Sequence, residues 1–154
     1  MSAISLSQED LDLIRRDGAL NYPDECCGFL FGLSPALKSG EQADEARVVT
    51  EVQPIGNEQN ENRARRFLIS PEQFRKAENY ARVLGLELLG FYHTHPDHPA
   101  VPSEFDREHA LPFYSYVILS VRKGEAAELR SWQLDLDRSG YVEEAVHIKA
   151  EILG

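Results

Sequence analysis

The chain has 154 residues, 42% of them hydrophobic, with 7 Phe, 6 Tyr and 1 Trp, which suits one folded domain spanning residues 1–154 and excludes a disordered chain. Sixteen Lys and Arg stand against 26 Asp and Glu, for a net charge of −10. That balance argues against a nucleic-acid partner, since binding phosphates needs a basic patch, and the one basic cluster, Arg63, Arg65 and Arg66, is short.

Met1-Ser2-Ala3-Ile4 begins no signal peptide, having neither a basic nor an apolar region. Ser7 caps a helix reaching about Leu20, with Leu11, Ile14 and Leu20 as its apolar stripe. Cys26 and Cys27 are adjacent, so geometry disfavours a bond between them. They read as small buried hydrophobes at a strand start, and two cysteines suit a reducing cytoplasm. Strands are expected at Gly28–Gly32 and Arg47–Val52, separated by a turn or loop from Leu33 to Ala46. Gly56 to Arg65 is polar apart from Ala64 and reads as a solvated loop. Ser70 and Pro71 open a second helix running to about Leu84, its inner face carrying Phe74, Ala77, Tyr80, Ala81 and Leu84. Further strands are expected at Leu86–Tyr92, Tyr116–Val121, Glu128–Leu136 and Tyr141–Ile148, with turns at Lys123-Gly124 and Ser139-Gly140. No apolar run approaches the ~20 residues that span a bilayer, so no membrane partner is expected.

The chemistry concentrates in Gly90-Phe91-Tyr92-His93-Thr94-His95-Pro96 and Pro102-Ser103-Glu104-Phe105-Asp106. In a strand, residues i and i+2 share a face, so His93 and His95 point the same way at the strand's end. Pro96 stops the ladder there. Ser103 is a natural N-cap for a helix over Glu104 to Ala110, which puts Asp106 in the first turn. Ser-x-x-Asp is close to a capping box, and most such motifs only cap. Two histidines and a carboxylate within 14 residues nevertheless make the ligand set of an open catalytic zinc site.

The His93-Thr94-His95-Pro96 run, seven residues to Ser103, and then Asp106 resemble the His-x-His-x7-Ser-x2-Asp signature of JAMM (MPN+) metallopeptidases. Pro23-Asp24-Glu25-Cys26-Cys27-Gly28-Phe29-Leu30-Phe31-Gly32 resembles that family's glutamate-bearing element. The Asn57 loop, the segment from Phe67 to Pro71, and Arg130-Ser131-Trp132 extend the likeness from about Leu11 to Ile148. The resemblance implies a cytidine-deaminase-like α-β-α sandwich: an α/β fold with a curved mixed β-sheet and three helices. It implies one zinc ion per chain held by His93, His95 and Asp106, with Glu25 as general base and Ser103 as oxyanion donor. Zinc held in this way keeps a position for water and lowers the water's pKa to about 7.

The substrate implied is a ubiquitin-like protein. The short chain most resembles a bacterial branch acting on sulfur carriers, hydrolysing the bond after a C-terminal Gly-Gly to remove an extension or a cysteine adduct. The polar loop from Gly56 to Arg65 is then a candidate recognition flap, and a homodimer is compatible with the reading. Two other functions compete. One is a metal-free binding scaffold, which the intact ligand set disfavours. The other is a zinc hydrolase of small molecules, such as a deaminase, whose Pro-Cys-x-x-Cys element is missing. His98 and His109 flank the motif, one in a loop and one a turn beyond Asp106, as neighbours of the site rather than ligands.

Overall fold

The computed structural model describes residues 3–35, 46–55 and 69–149. The expected Gly56–Arg65 loop with Asn57, the first two residues of the Phe67–Pro71 segment and the arginine cluster lie outside the described residues, as does most of the Leu33–Ala46 connection.

In chain order the elements are β1 (Ala3–Ser7), α1 (Gln8–Asn21), β2 (Cys27–Leu33), β3 (Arg47–Ile55), α2 (Pro71–Leu84), β4 (Glu87–Pro96), α3 (Glu104–His109), β5 (Ser115–Arg122), β6 (Glu125–Leu134) and β7 (Tyr141–Lys149). The strands run β1-β3-β2-β4-β5-β6-β7 around one mixed sheet, whose curvature carries it to closure because β1 also pairs with β7. The expected curved mixed sheet with three helices is therefore present. β1 is an addition to the elements read from the sequence. It is five residues long and finds its partners far along the chain, with Ile4 beside Arg47 and beside Val146.

The helices serve opposite faces of the sheet. α1 packs against a cluster that includes Ile4, Leu6, Ile14, Leu30, Leu89, Tyr92, Val117 and Leu119. On the other face, Ala77 and Ala81 of α2 meet Phe29, Phe31, Phe91 and Tyr116. Strand alternation sorts the residues: in β4, Tyr92 faces α1 whereas Phe91 faces α2. Burying such side chains stabilises by about 1.5–3 kcal/mol each, so the sheet is fixed from both sides.

Both long helices start where expected. Ser7 accepts from the Asp10 amide, and Ser70 forms a full capping box with Gln73 ahead of Pro71. Two apolar expectations are corrected. Leu20 is 79% exposed, because six residues on a 3.6-residue period turn it well away from Ile14. Gly18 takes its place on the inner face, where an added Cβ would lie 2.8 Å from Leu119. Leu84 is half exposed, being the final α2 residue before the left-handed Gly85. Cys26 and Cys27 are both buried and free of any disulfide, as expected.

Candidate metal centre

The site forms where β4 runs out beyond the start of β2. These strands are antiparallel, with Cys27 opposite His93. The Thr94 amide donates to the Cys26 carbonyl at 3.0 Å, and the Cys26 amide to Thr94 Oγ1 at 2.9 Å. Stepping once more along this register sets Glu25 across from His95. On its other side β4 pairs in parallel with β5, His93 beside Ile118 and His95 beside Ser120. Close approach of these two strands depends on Gly90, where a Cβ would stand 1.9 Å from the Ser115 carbonyl oxygen. Both histidines are thus fixed from two sides and buried.

Asp106 comes from a different kind of element. Ser103 forms a complete capping box, its Oγ accepting from the Asp106 amide at 3.1 Å and its own amide donating to Asp106 Oδ2 at 2.9 Å. The cap turns the carboxylate toward the histidines. His93 Nε2 lies 3.3 Å and His95 Nε2 3.1 Å from Oδ2, and the two Nε2 atoms are 3.1 Å apart. A tetrahedral ion with ligand bonds of about 2.0–2.1 Å requires ligand–ligand edges of about 3.3 Å. The observed triangle has that size, so the three donors fit one zinc ion. The neighbours support the same assignment. His95 Nδ1 lies 2.9 Å from the Pro99 carbonyl, to which it donates, leaving the Nε2 lone pair for a metal.

The electrostatics suit a cation. Burial lowers the His93 imidazole below its ordinary value despite the neighbouring Asp106, favouring the neutral form that can donate. Burial acts the same way on His95, but hydrogen bonds to Asp106 and Pro99 and the charges of Asp106 and Glu25 outweigh it and raise the value. For Asp106 itself burial is again opposed and outweighed, by His93 and by hydrogen bonds from both imidazoles and Ser103. Its carboxyl is held well below the usual range. Glu25 is 5% exposed, and burial, relieved in part by His95 and reinforced by Asp106, pushes it up to about 8.

A family model of the prokaryotic homologs of the JAB domain matches residues 7–135. This chain belongs to the JAB-domain family. The JAB domain here is 36% identical over 124 residues to the desampylase of Haloferax volcanii, covering 77% of this chain and 81% of that one. It is similar to a solution structure from Salinibacter ruber at 37% identity and a TM-score of 0.69, over 95% and 91% of the two chains. It also shares its fold, at 17% identity and a TM-score of 0.53 over 96% and 98%, with a JAMM domain described as a metalloprotease-like zinc site in the proteasome and signalosome. This JAB domain is a JAMM-type hydrolase.

The structure brings all five expected site residues of the JAB domain into one region. His93, His95 and Asp106 form the donor triangle, and Glu25, His95 and Ser103 line a common depression with His98, Pro99 and Val101. A second, apolar depression reaches His93 and Asp106, between Ile69, Phe74, Phe91, Phe105, Leu111 and Tyr116. His98 is exposed, and its carbonyl accepts from Ser120 Oγ at 2.6 Å. His109 bonds back to the Phe105 carbonyl at 2.9 Å. Neither histidine joins the donor triangle.

Sequence reasoning missed the groups that steady the ligand segment. The Trp132 indole donates to the Ala100 carbonyl at 3.0 Å, and the Ala100 amide to Glu128 at 3.2 Å. Trp132 carried a family likeness but no role. Contacts made to backbone carbonyls from strands far along the chain leave no pattern in the sequence.

Proposed function

We propose that this chain is a zinc-dependent (iso)peptidase that hydrolyses the bond after the C-terminal Gly-Gly of a ubiquitin-like sulfur-carrier protein. The observation that carries the proposal is the buried Glu25 carboxylate sharing one depression with His95 and Ser103, beside the His93–His95–Asp106 triangle. When held there, zinc supplies Lewis acidity toward water and the scissile carbonyl. Glu25 is the general base, and burial makes its carboxylate a stronger base than an exposed one. It takes the proton of the attacking water and returns it to the leaving amine.

Ser103 serves two purposes without conflict. Its oxygen accepts from the Asp106 amide, while its hydroxyl proton stays free to meet negative charge growing on the substrate carbonyl oxygen. Two depressions, one meeting the triangle at His95 and the other at His93 and Asp106, favour an extended polypeptide crossing the site over a small molecule enclosed by it. Terminal glycines would let the chain pass between them without steric conflict.

The likeness to a desampylase favours a second substrate form, a ubiquitin-like protein joined through its C-terminus to a lysine. Mass spectrometry after incubation with the zinc-loaded protein separates the forms. The substrates are a sulfur carrier bearing a C-terminal extension, the same carrier linked to lysine, and an extended carrier with the terminal Gly replaced by Val. Cleavage directly after Gly-Gly is expected, with kcat/KM reduced at least about tenfold for the Val variant. Equal cleavage of the Val variant, or internal cuts in unrelated peptides, would mark a broad zinc peptidase instead.

A further inference from the structure

Asp106 sits on an element with little of its own to hold it. α3 is six residues long and none of them is fully buried, so it lacks the broad apolar face that ties the longer helices to the sheet. A helix this short also leaves most of its C-terminal carbonyls without partners inside the helix. One guanidinium meets them. Arg138, in the turn between β6 and β7, donates from Nη1 to the Ala110 carbonyl at 2.8 Å, and from Nη2 to the Arg107 and Glu108 carbonyls at 3.3 Å each. Arg107 returns the contact, Nη1 donating to the Arg138 carbonyl at 3.0 Å. A cation at the C-terminal end of a helix also meets the negative end of its dipole.

The backbone supplies an independent observation. Arg138 has φ of 61°, in the left-handed region, where a residue with a Cβ is disfavoured and glycine, or to a lesser degree asparagine, fits. Gly140 stands two residues on, yet it is Arg138 that takes the strained position. Residues held in such backbone conformations point to a demand elsewhere. Here the demand is visible in the three carbonyls the side chain reaches.

We propose that Arg138 is a positioning residue for Asp106: by gripping the C-terminal end of α3 it sets the carboxylate at metal distance from the two histidines. This rests on Asp106 being a metal ligand. The grip works from the end opposite to Ser103, so the short helix is held at both tips, with the ligand between them.

Arg138→Gly removes the guanidinium while suiting the backbone, and Arg138→Asn does the same with a polar side chain. Zinc affinity is read by competition with a chromophoric chelator, and the melting temperature of the zinc-free protein is measured in parallel. The expected result for both variants is a zinc Kd raised roughly tenfold, the scale seen when groups orienting metal ligands are lost. The melting temperature of the zinc-free protein should be unchanged or higher. With cobalt in place of zinc, the visible absorption of the bound ion should change in shape, reporting altered ligand geometry. An unchanged Kd would overturn the inference, and so would a fall in melting temperature in both variants, which would make Arg138 a general stabiliser. Asp106→Ala is the control. If it binds zinc as the parent does, the ligand assignment itself fails; if it loses zinc while Arg138→Gly does not, only the role of Arg138 fails.

Discussion

The two halves of the metal site are built on opposite principles. His93 and His95 stand on a strand paired on both sides, next to a core that folding must form in any case. Asp106 stands on a helix with no buried residue, held by the Ser103 cap and by contacts at its far end. The strand half inherits its geometry from the sheet, whereas the helix half depends on a few polar contacts. Metal binding should therefore tolerate little change in either, but for different reasons: loss of the fold on one side, loss of aim on the other.

Removing a ligand has the largest expected effect and tests whether the halves contribute equally. His95→Ala and Asp106→Ala should each lower bound zinc, measured by atomic absorption, from one per chain to near zero, because two protein donors do not hold a stable site. Hydrolysis should vanish with the metal. Stoichiometric zinc in Asp106→Ala would show that the helix half is dispensable and would break the comparison.

Glu25→Gln probes the strand half without touching a ligand. Zinc should remain bound while turnover falls at least about 100-fold. The melting temperature of the zinc-free protein should hold or rise, since burial penalises the carboxylate's charge and an amide of the same shape carries none. Loss of zinc in this variant would make Glu25 a ligand.

The smallest effect, and the sharpest on the helix half, is at Ser103. Ser103→Ala deletes a cap worth about 1 kcal/mol and the hydroxyl donor, so zinc affinity should weaken and kcat fall by about 100-fold. Ser103→Thr keeps both the accepting oxygen and the proton, and it should recover most of each. If Ala and Thr give the same kcat, the hydroxyl has no part in the chemistry.

The strand half was the more legible of the two. The i, i+2 rule placed His93 and His95 on one face, and Pro96 marked the end of β4 as expected. The caps at Ser7, Ser70 and Ser103 were equally readable, because each is a local exchange of hydrogen bonds. What stayed hidden was nonlocal. The short strand β1 pairs with segments more than 40 and more than 140 residues away, and no local pattern announces such partners. The start of β6 was read three residues late, since Glu125-Ala126-Ala127 has little strand preference. The tight Lys123-Gly124 turn, with both residues at positive φ, imposes the strand there regardless. Leu136, read as the end of that strand, is instead 73% exposed. Glu25 owes its selection among 26 acidic residues to family likeness, and its burial in the depression it shares with His95 then supports that selection on physical grounds.

The closed ring of strands also orders events in time. Of the seven strands β1 is made before the others, yet its longer partnership, five residue pairs with β7, waits for the seventh. Until then it has, among the described residues, two paired positions on β3, and its apolar Ile4 and Leu6, fully buried in the finished fold, have no complete wall to enter. The seam must therefore be sealed after all seven strands have been made, and the loop it closes is more than 130 residues long, which slows closure. A nascent chain would carry an open, apolar edge until β7 has been made, the kind of surface that chaperones engage.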